Sequence, residues 1–165
     1  GYGAKVNSAD AMLVLHRLKP DWTSGKVETL QTIFLHDPDR KIPFQITFEG
    51  TEKRYLTGAD LDVESFQTIA GSLWIGDEFG PYLIRADMTG KVTGFFETQI
   101  DGRPARSPDH YNVTTPSVPG GATIFNVRRS RGYEGMAASK DGKFLWRNLL
   151  RFRFLDRQRE CRSLD

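Results

Sequence analysis

The sequence predicts an all-β chain of short antiparallel meanders, and three observations carry that prediction. Strand-like segments of four to nine residues, rich in β-branched and aromatic side chains, recur at short intervals. Turn signals separate them: Pro20-Asp21, Asp37-Pro38, Thr89-Gly90, Asp101-Gly102, Pro119-Gly120-Gly121 and Asp141-Gly142. No segment of the body keeps a helical period bounded by caps.

The elements follow in order. Residues 12–18 and 27–35 read as an N-terminal hairpin about Pro20-Asp21, and residues 44–48 as a short strand beyond Asp37-Pro38. Residues 72–76, 82–87 and 91–97 form a closely spaced run, the last two joined through Thr89-Gly90. After an excursion rich in Pro, Gly and Ser come residues 122–127 and, past Asp141-Gly142, residues 143–146.

An internal repeat narrows the architecture. Glu64-Ser65-Phe66-Gln67 through Gly71-Ser72-Leu73-Trp74 matches Glu134-Gly135-Met136-Ala137 through Gly142-Lys143-Phe144-Leu145-Trp146, with the two Glu 70 residues apart. In each copy an acidic residue opens a short strand, a Gly turn follows, and a second strand ends on Leu-Trp. A repeating meander with one polar residue at the start of its first strand is the pattern of a β-propeller blade, whose first strand lines the central channel. The expectation is a partial β-propeller of two to three blades, since closure needs at least about four. Trp74 and Trp146, at equivalent positions, then read as packing residues.

The stretch YLTGADLDVESFQ, residues 55–67, gives the repeat its chemistry. If it is extended, Asp60, Asp62 and Glu64 share one face at spacings of about 6 to 7 Å. On a solvated face nothing more follows, with Asp60 as a local cap. Facing an enclosed channel, the three carboxylates call for a cation, an arginine or raised pKa values. A strand of oxygen donors suits Ca²⁺, which accepts six to eight oxygens in irregular geometry. An EF-hand is excluded, because the sixth and twelfth positions counted from Asp60 are Ser65 and Gly71. Glu134, flanked by Gly132 and Gly135, is the repeat partner of Glu64 and the best single ligand candidate. Asp77 and Glu78 end a strand before a Gly-Pro turn; they are either further ligands or turn caps. Arg131 is placed to pair with one of these acids or to hold an anionic substrate.

Composition excludes several classes. With 165 residues, 38% hydrophobic and 12% aromatic, the chain has room for one globular domain and is not disordered. No apolar run approaches the roughly 18 residues of a membrane span. Gly1 opens in polar sequence without an initiator Met, so the true start is expected to lie upstream, and no signal peptide is visible. Residues 147–165 hold six Arg against Asp156, Glu160 and Asp165, which leaves −1 for the rest of a chain whose net charge is +2. Without a basic stripe in the body, nucleic-acid binding is not expected. The single Cys161 fits no disulfide framework or zinc pattern. His16, His36 and His110 have no metal-ligand spacing; His16 reads as structural, and His110, in a long loop, is a substrate-binding candidate. No Gly-x-Ser-x-Gly elbow exists and Ser65 has no visible base, so a nucleophilic serine is not expected. Asn112-Val113-Thr114 matches a glycosylation sequon, which means little alone.

Two segments, LTGADLDVESFQTIAGSLWIGDEFGPYLIRADMTGKV and SRGYEGMAASKDGKFLW, resemble the bacterial phytase-like family, described as having the esterase-like activity of phytase. Members show a GADFDPES segment, a WIGDEFGP segment and later SRGFEGLAxSPDGxxLY. The resemblance spans roughly residues 40 to 146. It implies a propeller-like fold, ester hydrolysis and a periplasmic or extracellular setting. The family continues with Leu-Glu-Gly where this chain reads Arg147-Asn148-Leu149-Leu150. That departure divides the chain into a propeller fragment, 1–146, and an atypical tail, 147–165, readable as an amphipathic helix or as coding sequence out of frame. The missing blades, or self-association, would have to cover the open edges.

The functional expectation is Ca²⁺-dependent hydrolysis of a phosphate or other ester, with a metal-activated water as the nucleophile. The alternatives are a non-catalytic propeller that binds a ligand or protein around a structural ion, and an incomplete, inactive product. Cations around the acids would separate these readings. The candidates near the motifs are Arg54, Arg85, Arg128, Arg129 and Arg131.

Overall fold

The computed structural model describes residues 5–149 and 160–163. Among these the chain is all-β: a 3-10 turn at Lys5–Ser8, then strands, with no α-helix. Among the described residues no helix is long and apolar enough to cross a membrane.

β1 (Val14–Pro20) and β2 (Val27–Phe34) pair antiparallel as a two-stranded hairpin with a bulge at Arg17/Leu18. Its tip is closed by Asp21, whose carboxylate accepts the Thr23 N–H at 2.9 Å. One face is turned to the core through Leu15 and Ile33, while Leu18 and Leu30 stand exposed.

Residues 35–62 make no named strand. Leu35, Ile42, Ile46, Leu56 and Leu61 are buried as separate plugs, and Phe44 packs its ring on Tyr82, Phe95 and Tyr111. The strand expected at 44–48 is therefore a bend and turn, in which Glu49 N–H bonds the Ile46 carbonyl at 3.2 Å. The apolar spacing there serves burial of single side chains rather than a ladder. Arg54 ties the segment together: its buried guanidinium reaches Asp37 Oδ2 at 2.7 Å and Glu49 Oε2 at 2.9 Å.

β3 (Val63–Ile69), β4 (Ser72–Asp77), β5 (Tyr82–Asp87) and β6 (Val92–Glu97) form one four-stranded antiparallel meander in sequence order, the form of a propeller blade. β7 (Gln99–Ile100) and β8 (Arg103–Pro104) are a two-residue ladder. β9 (Tyr133–Ala138) pairs with β10 (Phe144–Leu149), which pairs with β11 (Glu160–Ser163). β10 runs through residue 146, and residues 160–163 are extended rather than helical; residues 150–159 of the tail lie outside the described residues. The strand expected at 122–127 is absent, because Ile124 and Phe125 find no cover and the Asn126 and Val127 N–H groups both bond the Arg106 carbonyl instead. Among the described residues none of the sheets closes on itself. The architecture is compatible with a partial propeller.

The meander β3–β6 is covered on both faces. Leu73, Ile75, Ile84 and Ala86 join Ile33, Leu35 and Leu56 in the larger core on one side. Leu83 and Ile69 meet Leu145, Met136, Ala138 and Trp74 on the other. The layers thus run in order: N-terminal hairpin and plugs, β3–β6, β9–β10.

Candidate functional site

Asp60 and Asp77 do structural work. Residues 57–60 are a turn, closed by the Asp60 N–H to Thr57 carbonyl bond at 3.0 Å, and the strand begins only at Val63. Asp60 Oδ1 accepts from Thr47 N–H (2.7 Å) and Oγ1 (2.9 Å); Oδ2 accepts from Thr57 N–H (2.7 Å) and Oγ1 (2.8 Å). This corrects the expectation of three acids on one extended face. Asp60 is a clamp between two loops, as the Thr-x-x-Asp spacing allows. Asp77 is buried at the end of β4, its carboxylate accepting Asp62 N–H at 2.8 Å and Gly80 N–H at 2.7 Å. It fixes the backbone on both sides of the cleft, and Glu78 N–H bonds the Asp62 carbonyl at 2.8 Å beside it.

Glu64 and Glu134 are placed by the same device. In the first sheet Val63 faces Asp77 and Ser65 faces Gly76, so Glu64 is the extra residue of a bulge. In the second, Tyr133 faces Leu149 and Gly135 faces Asn148, which leaves Glu134 as the extra residue. A bulge bends the strand and re-aims one side chain. Further along, Gln67 pairs with Trp74 and Ala137 with Trp146, so the two sheets agree residue for residue.

β3 and β9 then meet side by side. Ser65 Oγ donates to the Tyr133 carbonyl at 3.3 Å, and Gln67 Nε2 to the Met136 carbonyl at 3.0 Å. Two glycines permit the approach. A Cβ at Gly76 would lie 2.8 Å from Tyr133 Cβ, and one at Gly132 would lie 2.5 Å from Glu78 Cα. By contrast Gly135, the other glycine flanking Glu134, meets only the Asn148 side chain at 3.7 Å.

The result is a cleft of about 310 Å³ lined by Glu64, Glu78, Ser130, Arg131 and Glu134. Carboxylate oxygens of Asp62, Glu64 and Glu78 all lie within 4.8 Å of one another. Oxygens bound on opposite sides of a Ca²⁺ ion, each at 2.3–2.6 Å, stand about 4.6 to 5.2 Å apart, so this donor set fits that ion. Burial, then the adjacent Glu64, pushes Asp62 above the usual carboxylate range. Burial, then Asp62, Glu64 and Glu134, does the same to Glu78. Both groups are thus carboxylates held out of water beside other acids, a setting that a cation would relieve.

Arg131 is the one cation among the described residues lining the cleft, half exposed and 3.9 Å from Glu134. Arg54 is tied to Asp37 and Glu49, Arg85 lies over the Trp74 ring, and Arg129 pairs with Asp109 at 3.0 Å. His110 does not join the cleft. It is buried against Tyr82 and Tyr111, its Nδ1 accepts the Asn112 N–H at 3.0 Å, and burial pushes its pKa down to about 4. It is therefore neutral at pH 7 and a loop-packing residue, not the substrate contact expected of it. Ser130, with φ of 51°, is a lining residue that no sequence signal singled out. A larger cavity between Arg40, Phe44, Glu49 and Arg54 holds ionised groups that already neutralise one another.

Fold and cleft define an all-β protein in which two adjacent meanders bring bulged glutamates to a shared carboxylate cleft. The family described as "Phytase-like: Esterase-like activity of phytase" matches residues 1–161, and the chain belongs to that family. No curated protein and no solved structure matches the chain significantly.

Proposed function

We propose that the cleft holds a divalent cation, Ca²⁺ by its donor set, and hydrolyses an ester with it. The supporting observation is the convergence of Asp62, Glu64 and Glu78 oxygens within 4.8 Å, with Glu134 brought to the same cleft from the second sheet. A cation held there would supply Lewis-acid polarisation of the ester and a water of lowered pKa. Asp62, Glu64 and Glu78 are the inner ligands in this reading, and Glu134 faces them across the cleft from the second sheet. Glu134, on the second sheet and facing that cluster, is placed to take a proton from an attacking water and return it to the leaving oxygen. Arg131 orients the ester through its planar fork. Asp77 acts only by holding Asp62 and the turn after Glu78.

With one cation against the acids, esters of little charge suit the cleft better than polyphosphorylated ones. A periplasmic or extracellular setting belongs to the same proposal, since Ca²⁺ sites of modest affinity, Kd of about 10⁻⁴ to 10⁻³ M, are occupied there.

The test is calorimetric titration of the whole chain with Ca²⁺, beside turnover of neutral and phosphate p-nitrophenyl esters with and without the ion. Wild type should bind Ca²⁺ and show ion-dependent turnover, and Glu64→Ala/Glu134→Ala should lose both. Equal Ca²⁺ affinity in wild type and the double variant refutes the site. Binding without turnover of any ester favours the non-catalytic reading, an ion that only braces the two sheets.

A further inference from the structure

The layers of this molecule repeat, and among the described residues the repeat leaves a partly exposed apolar face at each end. In β3–β6 the face bearing Trp74 and Leu83 is covered by the Leu145 and Met136 side of β9–β10. By register Trp146 is the counterpart of Trp74, because each pairs with the residue three beyond its bulged glutamate. Phe144 and Trp146 share that face of β10, opposite Leu145. Their rings lie 6.1 Å apart and they remain 37% and 38% exposed. The face that receives the next layer in the first sheet thus recurs in the second, and among the described residues no layer lies over it.

The two faces differ in one respect. Gln67 and Ser65, which donate hydrogen bonds to the neighbouring layer's carbonyls, are replaced at equivalent positions by Ala137 and Gly135. The outer face therefore offers no side-chain donors from the inner strand, and around Phe144 and Trp146 an apolar partner that is self-satisfied in hydrogen bonding matches it. The far end of the stack has that character. On β1–β2, Val14 pairs with Phe34 and Leu18 follows on the same face, away from the core-facing Leu15 and Ile33. Leu18 is 51% exposed, and the polar pair there, His16 and Thr32, is bonded to itself at 3.1 Å.

We propose that the chain associates head to tail with a second copy, the Phe144–Trp146 face of one seated on the Val14–Leu18–Phe34 face of the next. The contact continues the layer order already present within one chain. It is heterologous, so it builds rings or open stacks rather than a two-fold dimer.

Sedimentation velocity of the full chain over a concentration series reads the association directly. Wild type should grow beyond a dimer with concentration. Leu18→Glu and Trp146→Glu should each weaken association by at least about tenfold, as expected for a charge set into an apolar contact centre. A head-to-tail contact makes a further demand. Each variant keeps one good face, so an equimolar mixture of the two should form a 1:1 pair that grows no further. Circular dichroism checks folding, and Phe144→Lys replaces Trp146→Glu if the latter unfolds. A wild type that stays monomeric throughout overturns the proposal. So do variants that associate like wild type, or a mixture that stays monomeric.

Discussion

Asp77 separates a clamp from a ligand, and its substitution gives opposite results in the two cases. Its buried carboxylate accepts two backbone N–H groups, at 2.8 Å from Asp62 and 2.7 Å from Gly80. Asp77→Ala leaves both donors buried without that acceptor, at about 1–3 kcal/mol each, so a loss of about 2–6 kcal/mol is expected. Asp77→Asn keeps one acceptor oxygen but sets an amide N–H₂ against the other donor, so its expected loss is nearer about 1–3 kcal/mol. The assay is urea unfolding of the ion-free chain. With a slope of about 2 kcal/mol per molar, Asp77→Ala should move the midpoint down by about 1–3 M. Ca²⁺ affinity should fall with it, by about 10- to 100-fold, because the groups behind a metal ligand fix its position. A true ligand would behave otherwise: removing it relieves repulsion among carboxylates and leaves the ion-free chain as stable or more so. A midpoint shift worth less than about 0.5 kcal/mol, the range of ordinary surface substitutions, refutes the clamp.

Two further predictions follow from the geometry of the cleft. Gly132→Ala places a methyl 2.5 Å from Glu78 Cα, which cannot swing aside as a side-chain end could. The cost should be about 1–3 kcal/mol, seen as a fall in Tm of about 2–4 °C per kcal/mol in calorimetric melting. The second prediction concerns pH. Asp62 and Glu78 have folded-state pKa values raised by burial and by neighbouring acids. The native state therefore keeps protons that the unfolded chain has released, and their contribution favours folding at the acid end. It is lost as pH rises from the ordinary carboxylate range through the raised values. Ion-free chain in a pH series of urea melts should show this decline, and Glu78→Gln should flatten it. A contribution from these two groups that rises over the same interval would contradict the burial.

The strand run from residue 72 to residue 97 was legible because alternation, β-branched residues and short Gly turns agree there. β5 is Tyr82–Asp87 as expected, and β4 and β6 differ by one residue each. The repeat was legible too, since each Glu opens a short strand that a Gly-bearing turn joins to a second strand ending on Leu-Trp, at Trp74 and at Trp146. Two apolar runs misled. Residues 44–48 and 122–127 have strand composition, but a strand needs a neighbour with a free edge, and composition carries no record of that neighbour. Asp60 misled for a local reason: the Thr57 and Thr47 hydroxyls and N–H groups lie within reach of its carboxylate. Ring packing likewise took His110 from the site, and the sequence around it carries no sign of Tyr82.

What periodicity could least reveal is the pair of bulges, and they carry the site. An unbulged β3 would send Glu64 and Ser65 to opposite faces at fixed alternation, and Glu134 likewise in β9. One extra residue in each strand, at the same place, turns both glutamates toward the seam between the sheets. Packing does not call for this. The structural duties at the seam are filled by Asp77, which caps backbone N–H groups, and by Gly76 and Gly132, which let backbone approach. Asp62, Glu64, Glu78 and Glu134 add repulsion there, and Asp62 and Glu78 are raised first by burial and then by these neighbours. Charge gathered against the interest of the fold, on two strands 70 residues apart and by one repeated device, is the strongest physical reason to read the cleft as the place where this chain acts.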